Sequence, residues 1–508
     1  MRKSSGENQM RETIKAQLTL GAVDIAEVQF DLRSRDEIPK LLFGLQYIYI
    51  NSDIKSKVFT VLEDMIPCHI DWHTGRPGME LWKILVLGTL RLNCNWDYDK
   101  LQEMANNHLT LRQILGHGVV DQDYRYSLQS LKDNIRLFTV DILDRVSQIV
   151  VQTGHDLANK KKEPIKAKCD SFVVETEVHF PTDINLLLDA MRKVIILLSQ
   201  LYADLDLSLW RQSSHNLRKL KKLFRRVQKL NHSTSQDEKK KRQRESLIRA
   251  AYEAYISLSQ SFIRKAQRNL KTLHDVSPQM TKRIEEIERY MNHAERQIDQ
   301  ISRRVLQGEK IPHDEKVFSI FEEHTEWISK GKAGVPQELG LRVCIVEDNF
   351  GFILHHHVME RETDDKITVP ITRETKERFP ELTLMSFDQG FYSPLNKARL
   401  SELLDHVILP KKGKLSQAEA AIEHGEEFVR ARRKHSAVES GINALEQHGL
   451  DRCPDHGIIG FKRYVALSVL SRNLQILGHM IQQRERKRQK RREKLELSRN
   501  TTLDRKVA

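Results

Sequence analysis

The sequence lacks the features that mark disulfide-rich, zinc-binding and membrane-spanning proteins. Its 508 residues contain only five cysteines, far apart and without a Cys-x-x-Cys pair, so neither a disulfide framework nor a standard zinc motif is indicated. No stretch approaches the roughly 18 uncharged apolar residues that a membrane span requires, and the N-terminus has no apolar signal core. We therefore expect a soluble, cytoplasmic protein with no membrane partner.

Acidic residues are also outnumbered. Lysine and arginine total 83 against 70 for aspartate and glutamate, which gives a formal charge of +13 and a pI near 9.3. This charge favours a polyanionic partner through long-range attraction; nucleic acid is the first candidate, although an anionic membrane surface would attract the same charge. The length suggests roughly three domains, at about 150 residues each.

Residues 1–160 are predicted to form an all-helical N-terminal domain, which we expect to bind DNA ends. Between about 38 and 152, apolar residues recur at helical spacing. The segment DYDKLQEMANNHLTLRQILG has the rhythm of a helix-turn-helix, but it lacks the usual turn glycine, and an ordinary helical bundle looks the same. The charged, proline-containing break KKKEP ends this region.

A strand and then a long helical insertion are predicted next. IKAKCDSFVVETEVHFPTD is rich in strand formers and closes with proline. From Met280 to Val305 the apolar residues alternate at spacings of four and three, which is typical of a coiled-coil seam, and Leu217 to Val227 shows the same rhythm. Between the two lies NHSTSQDEKKKRQRE, a polar turn. Such an arm either folds back on itself or pairs with a second chain.

After residue 341 the pattern alternates between strand and helix. LRVCIVED and FILHHHVME read as a hairpin around NFG, followed by a helix at 364–378, the strand LTLMSFD, a helix at 394–404, the strand HVILP and one long helix carrying RARRKHSAVESGINALEQ. The final segment, RERKRQKRREK, holds eight basic residues against two glutamates. It suits a nucleic-acid-binding tail or a solvated helix end.

Three acidic residues occupy places where strands and helices would bring them together. Asp170 opens the first strand, Asp388 ends LTLMSFD, and Glu439 lies on the helix beyond. Phosphoryl transfer on DNA uses two divalent cations about 4 Å apart, and Mg²⁺ prefers carboxylate oxygens. These carboxylates are therefore predicted to hold two Mg²⁺ ions, for which Mn²⁺ can substitute, although most acidic residues of any chain are solvated surface groups.

Several blocks of the sequence resemble the catalytic blocks of DDE-type insertion-sequence transposases, closest to the ISNCY type. They are KCDSFVVETEVHFPTD, LMSFDQGFYSPLNKARL and KHSAVESGINALEQHGLDRCPDHGIIGFKRYVALSVLSRNLQILG. WHTGRPGMELWKILVLGTLRLNCNWDYDKLQEMANNHLTLRQILG is similar to the N-terminal helical domain of the same family. The likeness covers most of the chain and leaves the arm and the tail weakly matched.

The resemblance implies an α/β fold with an RNase H-like catalytic domain, in which a mixed sheet is flanked by helices. The all-helical domain precedes the catalytic domain, which comprises residues 166–189 and 336–480; the coiled-coil insertion spans 190–335, and the basic tail spans 481–508. The family uses Mg²⁺ to nick DNA at the element's ends and to join the freed 3′-hydroxyl to target DNA. Two ends require two active sites, so a homodimer on DNA is expected.

The resemblance also suggests DNA contacts near the last carboxylate. Related transposases often carry a basic residue four positions before the glutamate and a lysine seven after it; here these positions are His435 and Glu446. Because the lysine is missing, the neighbouring Arg432, Arg433 and Lys434 are predicted to supply the positive charge against DNA.

Two other groups of residues invite a metal interpretation. His355, His356 and His357 are consecutive in a predicted strand, so their side chains alternate between faces and cannot converge on one ion. His448, Cys453 and His456 could bind zinc, but they lack a fourth ligand. Two alternative functions stay open: a catalytically silent DNA-binding protein derived from a transposase, and an RNase H-like nuclease that cleaves without joining.

Overall fold

The structure is a computed structural model that describes residues 12–14, 21–66, 78–158, 163–231, 238–273, 277–329 and 337–507. Most of the KKKEP break, the WHTGRP segment, the start of the polar turn in the arm and the boundary predicted at residue 335 lie outside these residues. The chain divides into two compact units. One comprises Met1–Glu177 and Lys332–Ala508, and the other comprises Val178–Gly331.

A mixed sheet forms the centre of the first unit. Its strands are β1 (Ile165–Thr176), β2 (Gln337–Asp348), β3 (Ile353–Met359), β4 (Leu382–Phe387), β5 (His406–Ile408) and β6 (Arg452–Cys453). They lie in the order β3-β2-β1-β4-β5, with β6 paired to the end of β1. β2 is antiparallel to both β1 and β3, whereas β4, β5 and β6 run parallel to the strands that they pair with. The predicted α/β fold with a mixed sheet flanked by helices is confirmed.

The strands and the helices that follow them lie close to where hydrophobic patterning predicts them. The first strand and the hairpin are present, and α12 spans Asp364–Arg378 as predicted. α13 spans Pro394–Leu403, with Ser393 as its N-cap, and the short α14 spans Gln417–Glu423. The hairpin turn is fastened by Asp348, whose Oδ1 accepts hydrogen bonds from two backbone N–H groups of the turn, at 2.8 and 2.9 Å.

The prediction of one long helix through RARRKHSAVESGINALEQ is wrong. Two helices replace it, α15 (Glu426–His435) and α16 (Ala437–Leu445), separated by Ser436. The Ser436 hydroxyl donates a hydrogen bond to the carbonyl of Arg433 at 2.9 Å. Serine competes in this way with the helical backbone bonds, which the apolar periodicity of the sequence does not reveal.

Helices of the N-terminal region share the core of the first unit with the last helix. They are α1 (Glu37–Ile50), α2 (Ser52–Glu63), α3 (Leu81–Asn93), α4 (Tyr98–Asn107), α5 (Leu109–Ile114), α6 (Leu128–Ile135) and α7 (Val140–Ala158), and the last is α17 (Gly457–Val507). A Cβ added at Gly478 of α17 would lie 1.8 Å from the Lys40 carbonyl of α1, so only glycine allows this close crossing. Asn473 of α17 bonds both backbone groups of Ile353 in β3 at 2.9 Å, which ties the helix to the sheet.

The described residues of the second unit form the helices α8 (Asp183–Asp204), α9 (Ser213–Asn231), α10 (Glu238–Leu270) and α11 (Pro278–Ile301), a π-helical turn after α11 (Ser302–Leu306) and a short strand, Glu326–Ser329. The predicted seam lies on α11, where Ile287, Ala294 and Ile301 are fully buried in one apolar cluster with residues of α8 and α10. Within the described residues, then, the seam is covered by helices of the same chain. No helix in the described ranges combines the length and the apolar character that crossing a membrane requires.

Candidate active site

The sheet brings two of the predicted carboxylates side by side. Cys169 of β1 is in register with Phe387 of β4, and these strands are parallel, so the next residues, Asp170 and Asp388, continue the two chains next to each other. Neighbouring strands lie about 4.8 Å apart. Asp388 is exposed and Asp170 is half-buried, so the pair faces solvent at this edge of the core.

Helix α16 carries the third carboxylate, Glu439, which is also exposed. The helix rests closely on the sheet through the buried Val438 and through Gly441. A Cβ added at Gly441 would lie 1.8 Å from the Oε2 atom of Glu347 on β2, so a side chain at this position would require the buried Glu347 carboxylate or the helix to move. Glycine at position 441 therefore allows α16, which carries Glu439, to lie against Glu347 as it does here.

The electrostatics of Asp170 show that Asp388 and Glu439 both lie within range to act on its carboxylate. Burial, together with the negative charges of Asp388, Asp364 and Glu439, raises the pKa of Asp170 to about 6. A hydrogen bond of 2.7 Å from the backbone N–H of Ser171 to Oδ1 opposes this shift. The site therefore concentrates negative charge, which a bound cation would neutralise.

Sequence reasoning missed Asp364, the first residue of α12. Its Oδ1 accepts a 2.7 Å hydrogen bond from the Ser171 hydroxyl, next to Asp170 on β1. Arg342 of β2 approaches Asp364 at 3.9 Å, measured from Nη1 to Oδ2. Nothing in the sequence places an aspartate at the start of a later helix beside the first strand, since that contact depends on how α12 crosses the sheet.

A buried ion pair next to the site was also missed. The Lys168 Nζ and Glu347 Oε1 atoms are 3.1 Å apart across β1 and β2, and both side chains are largely buried. Burial raises the pKa of Glu347, while Lys168 and Arg472 oppose that shift. Because Lys168 and Asp170 are two residues apart on one strand, their side chains share a face of the sheet. The alternation along the strand predicts that Lys168 and Asp170 share a face, but it does not predict that Glu347 is the partner of Lys168.

The residues predicted to contact DNA fall into two groups. Arg432, Arg433 and Lys434 are exposed at the end of α15. His435 instead turns inward, and its Nδ1 lies 3.0 Å from the Ser386 hydroxyl of β4. Burial lowers the pKa of His435, although the charges of Asp388 and Glu439 oppose the shift, so His435 belongs to the carboxylate site itself.

The donor chemistry of the site fits Mg²⁺. Asp170, Asp388 and Glu439 offer carboxylate oxygens, and their mutual repulsion favours a divalent cation among them. Across the described ranges, no three acidic, histidine or cysteine side chains already stand at ligand spacing around one point. Asp388 and Glu439 are both exposed, so their side chains are not enclosed by the core.

The other candidate metal residues have protein partners. His355 and His357 lie 2.9 and 2.6 Å from the carboxylates of Glu374 and Glu362. His356, between them, lies 3.5 Å from Asp144 of α7. The side chains of these neighbours are thus engaged by three separate carboxylates.

In the second group, His448, Cys453 and His456, the first two residues contact backbone carbonyls. His448 Nδ1 contacts the carbonyl of Asn93, and the Cys453 thiol lies 3.6 Å from the carbonyl of Asp455.

Comparisons of the chain with family models, with curated proteins and with solved structures found no match. Function must therefore be argued from the site.

Proposed function

We propose that this protein is a DDE transposase that cleaves DNA at the ends of a mobile element and joins them to target DNA. The observation that carries the proposal is the placement of Asp388, beside Asp170 on the neighbouring strand, and of Glu439 on α16, both close enough for their charges to raise the pKa of Asp170. Perturbed titrations of clustered carboxylates in an accessible site are typical of functional sites.

The order of the strands supports an RNase H-like catalytic domain. Three antiparallel strands, β3-β2-β1, are extended by the parallel β4 and β5. The three carboxylates then belong to β1, to the residue after β4 and to a helix after β5, which is the order that the transposase resemblance implies. The helical unit Val178–Gly331 is inserted after β1.

The three carboxylates and the neighbouring Ser171 would have different roles in catalysis. When bound by the carboxylates, Mg²⁺ would supply positive charge to the attacking hydroxyl and the leaving oxygen. Asp170, Asp388 and Glu439 would hold the ions, with Mn²⁺ able to substitute. The Ser171 N–H orients the Asp170 carboxylate.

Other residues around the carboxylates would lie close to the DNA substrate. Exposed Arg432, Arg433 and Lys434 would attract DNA phosphates. His435, which packs inward against Ser386 and whose pKa is lowered by burial, would be a neutral neighbour of the carboxylates at pH 7. We further propose that two copies act together on paired DNA ends.

The test is cleavage and joining of labelled duplexes that carry the DNA flanking the protein's own reading frame, with Mg²⁺ or Mn²⁺. Asp170→Ala, Asp388→Ala and Glu439→Ala should each lose at least about 10³-fold activity, the scale expected when catalytic charge stabilisation is removed, while still binding DNA. Asp365→Asn, an exposed acid beside the site, is the matched control and should keep full activity. The Mg²⁺ concentration needed for half-maximal activity should rise as the pH falls, because protons and Mg²⁺ compete for the Asp170 carboxylate, whose pKa is raised in the metal-free protein.

The products separate the proposal from its alternatives. Joined products identify a transposase, whereas cleavage without joining identifies a nuclease on the same fold. Wild-type protein that binds these duplexes but neither cleaves nor joins them would contradict both and leave a DNA-binding protein. Full activity in any one of the three variants would remove that residue from the catalytic set.

A further inference from the structure

Helix α9 of the second unit presents a dense and unbalanced positive charge. Its 19 residues, SSHNLRKLKKLFRRVQKLN, include seven lysines and arginines and no aspartate or glutamate. Four of them, Arg218, Lys222, Arg225 and Lys229, follow a spacing of four, three and four and therefore form one stripe along the helix. At about 1.5 Å per residue the stripe is roughly 16 Å long.

The remaining three cations, Lys219, Lys221 and Arg226, flank this stripe, and all seven are exposed. None of the seven makes an ion pair or a side-chain hydrogen bond with any residue that the structure describes. Like charges three and four positions apart destabilise a helix, and surface helices usually relieve this with interspersed acids. Here no acid intervenes, so the isolated protein gains no stability from the arrangement.

The apolar face of α9 is already occupied. Leu220 and Val227 are buried, and Leu217, Leu223 and Phe224 pack against the same cluster, which also contains residues of α8 and α10. A cationic helix that binds membranes inserts its apolar face between the lipids. Because that face of α9 faces the interior of its own unit, only the charged face is offered to a partner.

We propose that the exposed face of α9 binds the phosphate backbone of double-stranded DNA, independently of base sequence. Duplex DNA carries one negative charge per about 1.7 Å, so a stripe of this length meets several phosphates. The inference rests on the proposed action on DNA. It assigns part of the DNA binding to the second unit, in addition to the basic residues near Glu439. Its lysines and arginines would release condensed counterions, which makes the contribution steeply dependent on salt.

The experiment measures the affinity of the full-length protein for a duplex of arbitrary sequence as a function of salt, in EDTA so that no cleavage occurs. The test variant is Arg218→Gln/Lys222→Gln/Arg225→Gln/Lys229→Gln. The matched control is Arg264→Gln/Arg268→Gln/Lys282→Gln/Arg296→Gln, which removes the same charge from exposed positions on α10 and α11. A third variant, Arg218→Lys/Arg225→Lys, keeps the charge of the stripe, and circular dichroism checks that every variant is folded.

Each phosphate contact contributes about 0.9 to the slope of log affinity against log salt, so the test variant should lose a slope of about three to four. The control and the lysine variant should keep nearly the wild-type slope. Equal losses in test and control variants would overturn the proposal, since net charge alone would explain them. A test variant with an unchanged slope of log DNA affinity against log salt would also overturn the proposal. Impaired binding to vesicles of anionic lipid, with DNA binding intact, would overturn it as well and would identify a membrane surface as the partner.

Failure of the proposal for α9 can be distinguished from failure of the proposed transposase function. Salt-dependent binding through α9 can be present whether or not the protein cleaves DNA, and cleavage can be present with an unchanged slope. Asp388→Ala, which removes a candidate metal ligand outside the second unit, should keep the wild-type slope in EDTA. If the test variant were unfolded, the smaller variant Lys222→Gln/Lys229→Gln would replace it, with an expected loss of slope of about two.

Discussion

Asp170→Asn should stabilise the protein at neutral pH, because it removes a carboxylate from a site that disfavours negative charge. Asparagine has nearly the same shape, and its side-chain oxygen can still accept the hydrogen bond from the Ser171 N–H. The change therefore isolates the electrostatic contribution. Its pH dependence follows from the pKa of Asp170, raised in the folded protein from 3.8 to about 6.

The sign follows from proton binding in the two states. Below about pH 4 the Asp170 carboxyl is protonated in both folded and unfolded chains, so it has no effect on stability. Between pH 4 and 6 the unfolded chain loses this proton first, and the wild type loses stability as pH rises. Above pH 6 the destabilisation is complete. A shift of about two pH units corresponds to about 3 kcal/mol, and solvent screening of the half-buried group reduces this to about 1–3 kcal/mol.

The assay is thermal unfolding of wild type and Asp170→Asn across pH 4 to 8 without divalent cations. With an unfolding entropy of about 2.1 cal/mol/K per residue, over roughly 350 residues of the first unit, the variant should melt about 1–4 °C higher at pH 8 and equally at pH 4. Asp365→Asn, an exposed neighbour of the site, should show no such pH-dependent difference. A difference that is constant with pH, or that grows towards acid, would refute the carboxylate cluster as the cause.

Two further predictions concern packing at and near the site. Gly441→Ala places a methyl group against Glu347 Oε2 and should reduce DNA cleavage by at least about tenfold with DNA affinity unchanged. Adding Glu347→Asp, which shortens the side chain but keeps a negative charge opposite Lys168, should recover activity. Wild-type activity of the single variant would show that Glu347 or helix α16 moves without harm. Asp348→Ala removes the acceptor of two turn N–H groups and of His155, 2.6 Å away, in a fully buried position, and should cost about 3–5 kcal/mol in denaturant unfolding, well above the cost of Asp348→Asn; equal costs would show that charge is not what matters there.

Much of the sheet could be predicted because its strands and helices are coded locally. The hairpin and α12 lie where alternation and helical periodicity predict them. The break at Ser436 was not predicted, since a serine hydroxyl can either face solvent or bond to the helix backbone, and the sequence does not distinguish the two. The seam on α11 was predicted, but its partner was left open, because periodicity defines an apolar stripe and not what covers it.

The candidate site likewise combines features that the sequence predicts with features that only the structure shows. The sequence by itself determined that Asp170 belongs to a strand, that Asp388 lies at the end of one and that Glu439 lies on a helix, because each assignment depends on residues within a few positions. The prediction that Asp170 opens its strand was wrong, since β1 begins at Ile165 and Asp170 lies within it. Only the tertiary structure decided that Asp364 and His435 join these carboxylates and that Glu347 pairs with Lys168. Those contacts join residues that are far apart in the chain, and their distances depend on how closely helices pack on the sheet, which local sequence does not encode.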